Sequence, residues 1–364
     1  MSLKKVSPFV SGVCVSIYTA FWFGSIFPDL LKTEILDYIS VGAFLAVLFV
    51  SAGATFLHRK VISDKIYYGI LVFNVLLSGV SYFEIHLIVL LVLAVFQGLL
   101  FAIIIRAILN SGWEQFKNFS SIILGVGLGG GFSFIPFETT SNFIILAELM
   151  LFVLFFYHPV MAIDSKKELE LPQKTGKQQI LLLTISGILI FLEISFLLWS
   201  LILQDKSQGI IHQLTLVFTC ITIFVFRRYL ITLTNKMSKV GWLFIFSILL
   251  TVSFGLLYTF NITVFFIVGF GISLSYFLIN VHSLSGFRFD AVQISVLLFI
   301  IAVLNFIFAM FVQNHIEYAA AINIPDNVLA LSARQALMKE MASVSSVLII
   351  LTGLMFLYRR TWKY

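Results

Sequence analysis

The chain has 364 residues, 60% of them hydrophobic and only 11% charged, with a net charge of +6 and a mean hydropathy of +1.06. This leaves no stretch for a soluble domain, and the 23 Lys and Arg residues lie in short groups between apolar runs instead of on one continuous face, which argues against a nucleic-acid-binding protein. A hydrocarbon core about 30 Å thick needs roughly 20 apolar residues per spanning helix, and runs of that size recur down the whole chain, so the sequence reads as a polytopic membrane protein.

In chain order the predicted spans are 9–29, 36–57, 66–83, 86–106, 119–136, 141–158, 179–203, 210–229, 241–259, 262–281, 291–312 and 343–359. Twelve helices follow, the first lacking a small-residue cleavage pattern and therefore read as a retained span, not a removed signal peptide. Cytoplasmic loops carry the excess of Lys and Arg. With the amino terminus inside, 19 of the 23 basic residues fall on the inner side and only Lys32, Lys206, Arg334 and Lys339 on the outer. One span more or fewer would invert every later loop, so both termini are expected in the cytoplasm.

The polar linker 159–178 separates an amino-terminal half, 1–158, from a carboxy-terminal half, 179–364. Each half has six predicted spans and a basic turn after its second, FLHRK in one and RRYL in the other, as a duplicated transporter would. The expected fold is all-α, with twelve transmembrane helices in two pseudo-symmetric six-helix bundles. Cys14 and Cys220 lie in apolar spans, where free cysteine packs as a small hydrophobe, and no disulfide is inferred. The six His residues have no ligand spacing, so neither a metal nor a cofactor is expected.

Glu193, within LLLTISGILIFLEISFLLWSLIL, is an acid near the middle of the seventh span. An ionisable group at that depth costs about 3 kcal/mol or more and normally faces protein or a water-filled cavity. Two readings stand: a protonatable site that exchanges a proton as a cavity turns from one face to the other, or a neutral structural acid bonded to a neighbouring helix. Tyr18, Trp22, Gln97, Asn280 and Asn305 are candidates to line a central cavity, the alternative being interhelical hydrogen bonds. Gly125, Gly127, Gly129, Gly130 and Gly131 strip side chains from the fifth span, for close packing or for a flexing gate.

The sequence resembles the major facilitator superfamily over nearly its whole length, nearest the drug:proton antiporter branches. The likeness is carried by IYTAFWFGSIFPDL, with Pro28 where the branch has Ala-Leu-Pro, and by VGAFLAVLFVSAGATFLHRK, similar to the second helix and its basic turn. It continues through LAVFQGLLFA, where Gln97 and Gly98 match Arg-x-x-Gln-Gly, through SIILGVGLGGGFSFIPF, similar to the antiporter motif, and through a long outer loop ending in SARQALMKEMASV. The resemblance implies two six-helix bundles rocking about a midplane site, exporting a small amphipathic compound in exchange for protons, and a monomer is expected. The Lys-, Ile- and Phe-rich composition and short loops suit a bacterial inner membrane. The chain departs from the family at the first-helix acid, where it has Tyr18, and at the fourth-helix arginine, where it has Ala94. Glu193 and Arg106 are the candidates to take over proton coupling.

Two rival classes remain. A non-transporting sensor or assembly protein of the same fold is favoured by those missing motif residues. A membrane enzyme would need paired acids and histidines at one face, for which only His86 with Glu84 and His315 with Glu317 qualify. The outer stretch from Gln313 to Ala342 has three readings: a membrane-surface helix, a cap on the outer cavity, or a lead into the last span.

Overall fold

The computed structural model describes residues 27–32, 35–57, 69–70, 72–77, 86–110, 291–321 and 326–357, together with scattered positions between 185 and 252. Regular structure among the described residues is helical throughout. Five helices are defined: α1 (Phe27–Lys32), α2 (Tyr38–Leu57), α3 (Leu87–Asn110), α4 (Ala291–Ala321) and α5 (Asp326–Leu357). By packing, the chain divides into two compact units, Met1–Pro172 with Arg288–Gln313, and Gln173–Phe287 with Asn314–Tyr364. This differs from the sequence halves by placing Arg288–Gln313 in the first unit, where Ser295, Phe299, Ala309 and Gln313 meet α2.

The turn from α1 into α2 is held by backbone and side-chain bonds. Ile35 N and Leu36 N both donate to Leu30 O, at 3.1 and 3.3 Å, which wraps the chain around the end of α1. Asp37 then caps α2: its carboxylate accepts from Ser40 N at 2.7 Å and its carbonyl from Val41 N at 3.3 Å. The open amide of Tyr38 donates to Gln313 Oε1 of α4 at 3.1 Å, so a second side chain satisfies the same helix end. Phe27 of α1, wholly buried, meets Phe44 of α2 edge-on at 5.0 Å.

At about 1.5 Å per residue, the 20 residues of α2 match the hydrocarbon thickness. Among the described residues, Tyr38–Leu57 and Ile294–Tyr318 are long and apolar enough to cross a membrane. The chemistry of each face explains which side is turned in. On α4 the buried positions Ser295, Leu298, Ala302, Asn305, Ala309 and Val312 fall at alternating steps of three and four, a heptad seam, while Val292, Val296, Val303, Ile307 and Met310 form an outward apolar stripe.

Hydropathy predicts an end for α4 at 312 and a start for the last span at 343. The helices run further, α4 to Ala321 and α5 from Asp326. Apolarity marks where lipid is, not where a helix stops, and QNHIEYAAA and NVLALSARQALMKEM are polar yet rich in good helix formers. Residues 326–341 therefore continue into the last span as one helix of 32 residues, about 48 Å long.

Candidate functional site

Of the sequence candidates, the structure describes Gln97 and Asn305 in full and Arg106 by its place in α3. Glu193, Tyr18, Trp22, Asn280 and the glycines at 125, 127, 129, 130 and 131 lie outside the described residues. Gln97 and Asn305 both belong to the first compact unit and both are buried, at 8% and 0% exposure.

Gln97 owes its position to a stripe of small residues beside it. Ala94, Gly98 and Ala102 repeat every four residues along one face of α3, all of them buried. Gly98 is where α3 comes closest to α2: a Cβ there would collide with Leu48 O and Ser51 Oγ and sit 3.1 Å from Ala52 N. Ser51 is fixed by donating to Leu48 O at 2.9 Å, and Thr55 by donating to Ser51 O at 2.7 Å. The position that resembles the family's arginine, Ala94, is thus one turn from the tightest backbone contact of the helix pair. Arg106 follows Gln97 by nine residues, about 14 Å along the axis.

Asn305 sits on the α4 seam opposite α2. Its Nδ2 donates to Ile301 O of its own helix at 2.9 Å. Across the seam Gly42 has room for no side chain, since a Cβ would overlap that of Ala309 and lie 3.6 Å from Asn305 O. Three turns along α2, Gly53 makes the second close approach, to Phe299 and Ser295, and Ser295 Oγ donates to Gly53 O at 2.8 Å. Gln97 and Asn305 therefore both flank α2, one on each neighbouring helix, beside glycine-mediated contacts.

Two polar features escaped the sequence reading. Asn74, in the third predicted span, is 0% exposed, and neither its Nδ2 nor its Oδ1 has a hydrogen-bond partner. An unanswered buried amide costs about 1–3 kcal/mol. Its signal was a single Asn inside GILVFNVLLSGV. The second feature, in the other compact unit, is a hydroxyl ladder. Thr251 Oγ1 shares its proton between Ser345 Oγ and Ser247 O, each at 2.9 Å, and Thr352 Oγ1 lies 3.4 Å from Ser247 Oγ while donating to Leu348 O at 2.6 Å.

The acid–histidine pair of the enzyme reading does not assemble on α4. His315 and Glu317 are two residues apart on one helix, about 200° around its axis, so they face different ways. His86 lies at the start of α3, where its carbonyl accepts from Leu90 N at 3.1 Å, and Glu84 is outside the described residues.

Neither a protein-family model nor a curated protein matches the sequence. Solved structures do. The nucleoside transporter NupG matches with a TM-score of 0.63 at 14% identity, over 100% of both chains. The human organic anion transporter MFSD10 matches with 0.63 at 11%, over 97% of this chain and 100% of that one. A structure from the proton-dependent oligopeptide transporters matches with 0.58 at 15%, over 98% and 100%. At such identities the likeness carries the fold alone, and it does so end to end: the chain has the all-α polytopic fold that these transporters share.

Proposed function

We propose that this protein is a secondary transporter that exports a small amphipathic organic compound across a bacterial inner membrane in exchange for protons, working as a monomer by alternating access. The observation that carries the reading is the end-to-end likeness of fold to transporters named for nucleosides, organic anions and oligopeptides, the last described as proton dependent. In local sequence the chain resembles the drug:proton antiporter branches. The distribution of Lys and Arg supports cytoplasmic termini.

In this reading Glu193 is the group that takes up and releases the proton, because an ionisable group at mid-span normally faces protein or a water-filled cavity. Arg106 supports coupling from the inner end of α3. Tyr18, Trp22, Gln97, Asn280 and Asn305 supply the polar groups of a largely apolar substrate cavity. The glycines from 125 to 131 allow the fifth span to bend.

A second reading, a non-transporting sensor or assembly protein of the same fold, is favoured by Ala94. In this chain the position of the family's arginine is a wholly buried alanine in the stripe that packs α3 on α2.

The test is proton movement in proteoliposomes carrying a pH-sensitive dye, with amphipathic compounds added to wild type and to Glu193→Gln. A compound-triggered pH change in wild type that disappears in the variant is the expected result. Retention of the signal in Glu193→Gln reduces Glu193 to a structural acid. Silence with every compound favours the non-transporting reading.

A further inference from the structure

The third predicted span places one carboxamide where the packing leaves it unanswered. Ile70 and Asn74, four residues apart, are buried at 8% and 0% exposure, whereas Val72, Phe73 and Leu76 are 47%, 56% and 59% exposed. Asn74 therefore lies on the inward stripe of this segment, near the middle of the span. Both of its polar atoms are buried without a hydrogen-bond partner, although most buried polar groups in folded proteins are bonded.

A second observation fixes its level in the bundle. Phe73 stacks on Phe96 of α3, with ring centroids 5.7 Å apart and planes at 13°. Only residues 78–86 separate the two segments in sequence, and spans joined over so few residues run antiparallel. One step along the sequence turns a helix by about 100°, and in antiparallel neighbours those turns carry both next residues to the same side. Asn74 and Gln97 thus arrive at one level on the inner side of the Phe73–Phe96 contact, and the burial of both agrees.

A carboxamide holds an acceptor and a two-proton donor side by side. It pairs best with another edge of the same kind, as Asn does with the adenine edge in nucleic-acid recognition. It offers no charge with which to offset the desolvation of a charged ligand. We propose that Asn74 is a ligand-binding residue that takes an uncharged edge bearing one donor and one acceptor, a carboxamide or a nucleobase, on the substrate. This deepens the transporter reading and rests on it, because a wholly buried residue meets a ligand only in a protein that opens its interior in turn.

The experiment uses the full-length protein in detergent and three probes: adenosine, N-acetyl-dialanine amide, and tetraphenylphosphonium, an amphipathic cation without such an edge. Binding is measured by calorimetry for wild type and Asn74→Leu, alongside melting temperature, and wild-type transport of each probe is followed in proteoliposomes. Wild type should bind adenosine or the dipeptide amide, the preference separating nucleobase from amide. Asn74→Leu should weaken that binding at least tenfold with a melting temperature unchanged or raised, since no bond inside the protein is lost. Should Leu fail to fold, Asn74→Ala, which cannot overpack, should weaken binding equally.

Equal binding in the variant overturns the proposal, and so does a lowered melting temperature in Asn74→Leu and Asn74→Ala alike, which would mean that Asn74 is bonded within the folded protein. Transport of tetraphenylphosphonium without binding of either edge probe overturns it and leaves the transporter reading standing. No binding and no transport of any probe overturns both.

Discussion

Among the described residues the two compact units hold their helices together by different means. In the first, α2 meets α3 at Gly98 and α4 at Gly42 and Gly53, where side chains are missing and backbones come close. In the second, the 241–252 segment meets α5 through the hydroxyls of Ser247, Thr251, Ser345 and Thr352, with Phe244 stacked on Phe356 at 5.9 Å. Without a hydrophobic driving force between helices in lipid, association rests on packing and on interhelical bonds; among the described residues the first unit shows mainly close packing, with the Ser295 Oγ to Gly53 O bond beside it, and the second mainly hydroxyl bonds. A seam made by absence is intolerant of added volume. One made by hydroxyls is sensitive to polarity but gives each bond little weight.

The largest effect should come from filling the first seam. At Gly98 the obstacles include the Leu48 carbonyl and the Ala52 amide, backbone atoms that move only if the helices part. Gly98→Leu should therefore prevent accumulation of folded protein, and Gly98→Ala should cost about 3 kcal/mol or more, at the upper end of overpacking. Ala gains about 1 kcal/mol over Gly in helix propensity, so the clash must win clearly for the contact to be as close as described. Thermal unfolding in detergent measures the balance, and an unchanged Gly98→Ala melting point would refute the closeness of α2 and α3.

Gly42 permits a sharper version, because its obstacle is one methyl group, that of Ala309. Gly42→Ala should cost about 2 kcal/mol, and combining it with Ala309→Gly should recover more than half of that. A double-mutant cycle isolates the pair. Additive losses would mean that the two residues do not meet.

What was legible in the sequence divides along the same line. The apolar windows at 36–57 and 86–106 anticipate α2 and the start of α3 closely, because hydropathy reads the lipid-crossing part directly. Gln97 and Asn305 stood out as polar residues in the runs 86–106 and 291–312, and both are buried. Their surroundings were not legible: which residues face α2 depends on rotation about each helix axis, and a nearly uniform apolar helix such as α2, buried on most sides, has no polar face to reveal it. The Ala94–Gly98–Ala102 stripe was present in the text, but Ala94 read as a departure from a family motif and Gly98 as a match to it, not as parts of a packing surface. Asn74 was equally visible as an Asn in an apolar run, but its burial without a partner depends on that same rotation.

The hydroxyl seam should yield smaller changes. Thr251→Val preserves shape and removes the proton shared between Ser345 Oγ and Ser247 O. Interhelical bonds in membranes average about 0.6 kcal/mol and reach about 1.7, so the coupling between Thr251→Val and Ser345→Ala should fall in that range. Ser345 also donates to Ala342 O at 3.0 Å within its own helix, which limits what the partner loses. A coupling of 3 kcal/mol would overturn the view that this seam is a sum of weak bonds.

Gly353 is the glycine that should matter least, although by contact distance alone it resembles the others. A Cβ there would lie 3.0 Å from Phe244 Cε2, 3.5 Å from Cδ2 and 3.7 Å from Cζ, one edge of a single aromatic ring. That ring is a half-buried side chain free to shift by a few tenths of an ångström, unlike the backbone that faces Gly98. The gain of about 1 kcal/mol from replacing Gly by Ala in a helix interior then competes with a small adjustment of the Phe244–Phe356 stack. Gly353→Ala should leave the melting temperature unchanged or raise it slightly, while Gly98→Ala lowers it steeply. If both substitutions are equally damaging, the distinction fails, because proximity of any atom, not rigidity of the atom approached, would then be what makes a glycine irreplaceable in this protein.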